Sequence, residues 1–166
     1  GLTLILFPNR YPRWLVLEVG ADRPDDIRRI AKWLSPDVVV VTHLPDVPVH
    51  VEFFGSAEEL FLEKKSLVDA LKKGGALILN ADDERVLAFR AGRETAVITY
   101  GMSRGAAVRA SNVSISYKNG VPVGMHVRVN YEGSSVPLHV NGSLGVQHVY
   151  PLLAAAAVGV SLKLNL

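Results

Sequence analysis

The sequence predicts an α/β fold in which a mostly parallel sheet is flanked by helices, with a small antiparallel region near residues 106–141. Three observations support this prediction. Short apolar runs alternate with helical segments up to Gly101, which is typical of parallel sheets with helices on their faces. After Gly101, apolar and polar residues alternate around Asn119-Gly120, a strong hairpin signal. Of the 166 residues, 49% are hydrophobic, which is enough for one domain with a real core.

The first strand is predicted at Trp14–Glu18 (WLVLE), an apolar run that we expect to be buried. A helix should begin at Pro24, because proline is favoured in the first turn, and should run to about Leu34. Val38–Val41 is an uninterrupted β-branched run bounded by prolines, which is typical of a strand buried on both faces. Together these three segments predict a strand, helix and strand unit.

Capping and turn residues place the remaining elements. Ser56 and Glu59 have the spacing of a capping box, and Gly74-Gly75 should end the helix that begins there. We expect one domain over 1–166, made of a parallel part (1–101), hairpins (106–141) and a closing helix (145–163). Its later elements are expected at Ala76–Leu79 (strand), Glu84–Ala91 (helix), Thr95–Thr99 (strand), Val108–Tyr117, Val121–Tyr131 and Ser135–Val140 (hairpin strands) and Gly145–Val160 (helix).

Composition excludes several classes of protein. The chain has no cysteine, which rules out disulfides and thiolate metal sites and is compatible with a cytoplasmic location. No apolar run approaches the roughly 20 residues needed to cross a bilayer, so no membrane insertion is expected. A net charge of +2, scattered along the chain, does not indicate nucleic-acid binding. No G-x-x-x-x-G-K-[ST] motif is present, so the chain is not a complete P-loop ATPase.

Polar residues at strand exits are the candidate functional residues, because open parallel sheets bind ligands outside the carboxyl ends of their strands. Glu18 is either a ligand contact or a partner for a helix cap. His50, in a proline-flanked loop, either ligates a divalent cation or hydrogen-bonds its own loop. Lys64 belongs either to a solvated helix face or to the apolar stripe, where it would need a partner or a modification.

The segment Asn80 to Asp83 also follows an apolar strand. Asn80 offers both a donor and an acceptor to a nucleobase edge, and the carboxylates after it could accept ribose hydroxyls. The same residues could equally form an ordinary helix N-cap. Spacing alone does not choose between the two interpretations.

Four motifs in order resemble the central, ATP-binding domain of the Mur ligases, a P-loop NTPase-like fold. They are LVLEVGADRPDDI, VHVEFFGSAEELFLEK, LILNADD and ITYG. The resemblance is strongest to the MurF branch, which adds D-Ala-D-Ala to a UDP-MurNAc-tripeptide during bacterial peptidoglycan synthesis. It implies that ATP phosphorylates a substrate carboxylate and that the dipeptide amine attacks the acyl phosphate. ATP and Mg²⁺ are the implied cofactors.

The resemblance also implies roles for individual residues. Glu18 and His50 would hold Mg²⁺, and Lys64 would carry a carbamate that binds the metal beside the acyl phosphate. Lys65 is the alternative if the register differs by one residue. Asn80, with Asp83 as a further candidate, would face the adenosine.

Departures from the family pattern leave alternatives open. The phosphate loop and the N- and C-terminal domains are missing from this chain, which is therefore expected to be inactive alone. Gln147-His148-Val149-Tyr150-Pro151 stands where the family has H-N-x-x-N. A non-catalytic binding or scaffold domain is the alternative from another class. A folylpolyglutamate-synthetase-like ligase is less consistent, because the glycine-rich continuation after Glu-Val-Gly is absent.

Overall fold

The computed structural model describes residues 13–45, 53–92 and 94–165. Within these ranges the backbone forms four α-helices and six strands, with short 3₁₀ turns at Ala88–Arg90 and Val146–His148. In chain order the elements are α1 (Asp26–Ala31), β1 (Val38–Val41), α2 (Ala57–Asp69), β2 (Ala76–Asn80), α3 (Glu84–Leu87), β3 (Ala96–Gly101), β4 (Val108–Lys118), β5 (Val121–Tyr131), β6 (Ser134–Asn141) and α4 (Val149–Ser161).

All six strands belong to one sheet, in the order β1-β2-β3-β4-β5-β6. The first four are parallel to their neighbours, and β4, β5 and β6 are antiparallel. The two parts meet where Tyr100 and Gly101 of β3 pair with Val108 and Arg109 of β4. The predicted fold class is confirmed, and the hairpins extend the parallel sheet instead of forming a separate one.

Helices cover both faces of the parallel part. Successive side chains of a strand point to opposite faces, so each strand packs against helices on both sides. Leu77 and Leu79 of β2 pack with Val68 of α2 in one apolar cluster. Ile78, between them, packs with Leu153 of α4 in a second cluster on the other face. All five of these side chains are fully buried. Burial on both faces explains why β2 reads as a continuous apolar run.

The strand predicted at Trp14–Glu18 is wrong. Residues 14–20 have no regular secondary structure, and four apolar side chains in this segment are exposed. Their exposed fractions are 60% for Trp14, 77% for Leu15, 93% for Val16 and 48% for Leu17. In the described part of the chain β1 pairs with β2 alone, and segment 14–18 joins neither strand. Within the described ranges, residues 14–18 therefore lack the ladder hydrogen bonds that define a strand.

The helix ends differ from their predicted positions by a few residues. α1 is shorter than predicted, and Asp25 before it has a left-handed backbone (φ 72°). The predicted Ser56 cap is confirmed, since its hydroxyl accepts a bond from the Glu59 amide at 3.2 Å. α2 ends at Asp69, before the predicted glycines, because the chain then turns toward β2. The Lys72 amide fixes that turn by donating to the Pro36 carbonyl at 3.1 Å.

Candidate functional site

The carboxyl ends of β1, β2 and β3 and the start of α4 surround a cavity of about 740 Å³. Small-molecule sites commonly measure about 300–1,000 Å³ and lie at this edge of an open α/β sheet. Its lining residues are Thr42, His43, Leu44, Asn80, Asp82, Asp83, Glu84, Arg85, Tyr100, Gln147, Tyr150 and Pro151. The cavity therefore has the size and position of a ligand site.

Asp82 ties three elements together at the cavity. Its carboxylate accepts bonds from the amides of Met102 (2.6 Å) and Ser103 (2.9 Å) and from the Tyr150 hydroxyl (3.0 Å). Burial alone would raise the pKa of this carboxyl, but these hydrogen bonds outweigh it and hold the pKa below its ordinary value. A Cβ on Gly101 would lie 2.8 Å from the carboxylate, so glycine is needed for the close approach.

Asp83 has a similar role at the exit of β1. It accepts bonds from the Leu44 amide (3.0 Å) and from the His43 ring at Nδ1 (2.7 Å), and it caps α3 through the Arg85 amide (3.1 Å). Burial would raise its pKa, but bonds from Leu44, Val86 and His43 lower it overall. An ionised Asp83 fixes the proton of His43 on Nδ1, so the neutral ring presents Nε2 as an acceptor.

Asn80 is nearly buried, and its amide holds the strand exits together. The Nδ2 group donates to the Thr42 carbonyl at 2.9 Å, and Oδ1 accepts from the Asp82 amide at 3.0 Å. The Nδ2 group has two N–H donors and Oδ1 has two lone pairs, and each of these contacts uses one of them. Among the described residues the Asn80 side chain makes no further hydrogen bond, so one N–H and one lone pair remain beside the cavity that it lines.

Two tyrosines complete the wall on the α4 side. Burial raises the pKa of the Tyr100 hydroxyl to about 12, so this group is a protonated donor at neutral pH. Burial and the bond to Asp82 raise the pKa of Tyr150 as well. The cavity thus offers hydroxyl, amide and imidazole groups next to two ionised carboxylates.

The two candidate lysines differ in their environments. Lys64 is half-buried on α2, and burial lowers the pKa of its amine. Lys65 forms an ion pair with Asp69 at 2.7 Å, with 44% of its side chain exposed. A lowered pKa increases the neutral fraction of an amine, which is the form that reacts with CO₂. Burial thus distinguishes Lys64 from Lys65, which forms an ordinary surface ion pair.

Glu63, next to Lys64, connects α2 to α1. Its side chain is only 4% exposed. Its Oε1 accepts bonds from the amides of Ile27 at 2.7 Å and Arg28 at 3.0 Å, in the first turn of α1. The carboxylate supplies the acceptor that the helix N-terminus otherwise lacks, since Asp25 makes no side-chain cap bond.

The structure brings some of the predicted residues together and leaves others apart. Asn80 and Asp83 line the cavity. Glu18 is exposed, and in the described ranges no hydrogen bond or ion pair joins it to Lys64 or Asn80. His50 lies outside the described residues. Among the residues that are described, no group of three or more His, Asp or Glu side chains could hold a metal ion.

His43, Tyr100 and Tyr150 line the cavity but were not among the predicted site residues. His43 could have been found by the signal that selected Asn80, since it is a polar residue just after an apolar strand. Tyr150 lies in the segment compared with the H-N-x-x-N motif, but its bond to Asp82 spans 68 positions of sequence.

Within the described ranges, no helix is long and apolar enough to cross a membrane.

Comparisons with known proteins identify the family. The family model described as "Mur ligase middle domain" matches residues 2–159. A UDP-N-acetylmuramoyl-tripeptide--D-alanyl-D-alanine ligase of Mycobacterium leprae is 34% identical over 85 residues, covering 51% of this chain and 16% of the relative. A UDP-N-acetylmuramate--L-alanine ligase of Salinibacter ruber is 30% identical over 151 residues, covering 90% of this chain and 30% of the relative.

A solved structure shares the fold. The MurF ligase of Thermotoga maritima, crystallised in complex with ADP, superposes with a TM-score of 0.73 at 21% identity. The match covers 89% of this chain and 33% of the ligase. The chain spans about a third or less of the length of the curated relatives that it matches. Since the family model covers nearly the whole chain, the chain belongs to the Mur ligase middle-domain family and has the fold of a MurF-like central domain.

Proposed function

We propose that this chain is the central-domain part of an ATP-dependent amide ligase of peptidoglycan precursor synthesis, of the MurF type. The observation that carries the proposal is the cavity of about 740 Å³ at the carboxyl edge of the sheet in a member of this family. Its size suits the nucleoside part of ATP. Because the reaction consumes ATP, we place it in the cytoplasm.

In this proposal Asn80 faces the adenosine with its remaining N–H and lone pair. Asp83 contributes mainly by holding His43 and the exit of β1 in place. The Tyr100 hydroxyl and the Nε2 atom of His43 are further groups that could bind a ribose hydroxyl or a base edge. Asp82 and Tyr150 support the wall of the cavity through their mutual hydrogen bond.

Lys64 is proposed to act as a carbamate. Its neutral amine would add to CO₂ with loss of one proton, and burial favours that neutral form. Oxygen ligands such as a carbamate and the Glu18 carboxylate suit Mg²⁺, and we propose that they hold the ion together with His50. When bound, the metal would neutralise charge on the phosphoryl oxygens. Among the described residues, no group of three or more His, Asp or Glu side chains is placed to hold this ion.

We propose the reaction that the resemblance to the MurF branch implies. The γ-phosphoryl group of ATP passes to the carboxylate of a UDP-MurNAc-tripeptide, giving an acyl phosphate and ADP. The amine of D-Ala-D-Ala then attacks the acyl carbon, the amide bond forms, and phosphate leaves with its electron pair while the amine gives up a proton. The sequence holds no phosphate-loop motif, so we expect this chain alone to be inactive.

A ligase assay on the whole polypeptide encoded by the gene tests the proposal. With UDP-MurNAc-tripeptide and MgATP, phosphate release should require D-Ala-D-Ala and should be absent with the 166-residue chain alone. L-Alanine and diaminopimelate, each with its own UDP-MurNAc acceptor, are the matched controls, because relatives with those specificities also match this chain. Turnover with one of these alone would overturn the D-Ala-D-Ala assignment. No turnover with any substrate would favour the non-catalytic scaffold, the second candidate.

A further inference from the structure

Two histidines lie side by side on the antiparallel part of the sheet, away from the cavity. His126 of β5 is directly opposite His139 of β6. Their ring centroids are 4.3 Å apart, and the rings meet edge to face at 84°. His126 is half-buried and His139 is exposed, so solvent reaches the pair. Neither residue has a part in the proposed ligase chemistry.

The register places this pair where side chains approach most closely. β5 and β6 are joined by the two-residue turn Glu132-Gly133, with φ angles of 46° and 82°. The flanking pair of such a hairpin is hydrogen-bonded, and the two types of pair alternate from there. Counting back from Tyr131·Ser134, the histidines form a non-hydrogen-bonded pair, with Cα atoms about 4.5 Å apart. Pro137, paired with Arg128, is likewise in a non-hydrogen-bonded pair. Its nitrogen, which carries no hydrogen, therefore faces away from β5 at the edge of the sheet.

Two imidazoles at this spacing can share one metal ion. Zinc lies about 2.0–2.1 Å from a histidine nitrogen, so two nitrogens on one ion are separated by only a few ångströms. The χ2 torsion of histidine is broad, so a ring rotation can turn the edge-to-face contact into a chelating one. Both side chains leave the same face of the sheet, and their strands are held together by the β5–β6 ladder.

The surroundings leave room for water to complete the coordination. Ser114, a small polar residue, is opposite His126 on the neighbouring strand, and His139 is exposed to solvent. Arg128, two residues after His126, has a guanidinium that bonds to the Ser135 hydroxyl at 3.3 Å, which draws its charge toward the turn. In the described part of the chain no third His, Asp or Glu joins the pair. A site with imidazole ligands alone favours Zn²⁺, Ni²⁺ or Cu²⁺ over Mg²⁺ and Ca²⁺, which need oxygen ligands.

We propose that His126 and His139 form a two-histidine site for one divalent transition-metal ion, with water as the remaining ligand. Because the two ligands are on adjacent strands, the bound ion links β5 to β6. The ion binds the folded state preferentially, so it stabilises the fold by mass action. The site is independent of the proposed nucleotide cavity and of any Mg²⁺ held there.

Metal titration of the untagged 166-residue chain tests the site. Calorimetry with Ni²⁺ and Zn²⁺ at neutral pH should find one ion per chain at this site, and the Cu²⁺ spectrum by electron paramagnetic resonance should report two nitrogen ligands. H126Q and H139Q should each weaken binding at least about tenfold and remove the metal-dependent rise in Tm. H148Q, which changes an exposed histidine outside the pair, should bind like the parent chain.

Circular dichroism of each variant without metal checks that the fold is retained. Absence of Ni²⁺, Zn²⁺ and Cu²⁺ binding by the parent chain would overturn the proposal. Binding by H126Q and H139Q as tight as that of the parent chain would overturn it as well, because the ion would then be held elsewhere. Neither result bears on ligase activity, and the ligase assay does not bear on this site.

Discussion

Replacing Glu63 with alanine is expected to lower the free energy of unfolding by about 3 kcal/mol. The substitution removes a buried carboxylate that accepts bonds from two backbone amides at the start of α1, Ile27 at 2.7 Å and Arg28 at 3.0 Å. Hydrogen bonds to charged groups are the stronger kind, and Ile27 would be left buried with its amide unpaired. Urea unfolding monitored by circular dichroism measures the change.

The matched control for this prediction is Glu58→Ala. It makes the same chemical change on the same helix at an exposed position, so its effect should stay within about 0.5 kcal/mol. Glu63→Gln keeps an acceptor oxygen but loses the charge, and it should fall between the parent and the alanine variant. If Glu63→Ala and Glu58→Ala had equal effects, the proposed link between α1 and α2 would be wrong.

Replacing Lys64 with alanine in the whole ligase should lower kcat by about 100-fold or more, since it removes the carbamate proposed as a metal ligand. Lys65→Ala is the matched control, because Lys65 forms an exposed ion pair with Asp69, and it should keep nearly full activity. Steady-state phosphate release measures both variants.

A rescue experiment separates a chemical role of Lys64 from a packing role. A small carboxylate such as formate or acetate can occupy the space left by alanine and replace the carbamate oxygens, so it should restore part of the activity of Lys64→Ala. The same additive should not affect the Glu58→Ala variant. If Lys65→Ala were the inactive variant, the carbamate would belong to Lys65.

Most strands of the sheet could be predicted from sequence because their signals are local. The valine run of β1, the apolar run of β2 and the Asn-Gly turn each identify an element without reference to distant residues. The same local logic placed Asn80 and Asp83 at the carboxyl edge, where the cavity lies. The apolar stripe around Lys64 likewise predicted partial burial, which the structure has.

The remaining features depend on contacts between residues far apart in sequence. Residues 14–17 have the composition of a strand, but a strand also needs a partner, and composition does not say whether one pairs. The bond from Glu63 to the Ile27 amide spans 36 positions. The bond from Tyr150 to Asp82 spans 68 positions. A single sequence carries no local signal for either contact.

The central claim is that the cavity at the carboxyl edge of β1, β2 and β3 holds the nucleoside part of ATP. Amide NMR of the isotope-labelled chain with millimolar ADP tests it most directly, because binding by this chain alone should be too weak for calorimetry. ADP should shift the amide signals of His43, Asp82 and Tyr150, while inorganic phosphate at the same concentration should not. Unchanged signals at these three residues, or shifts confined to another surface, would contradict the claim.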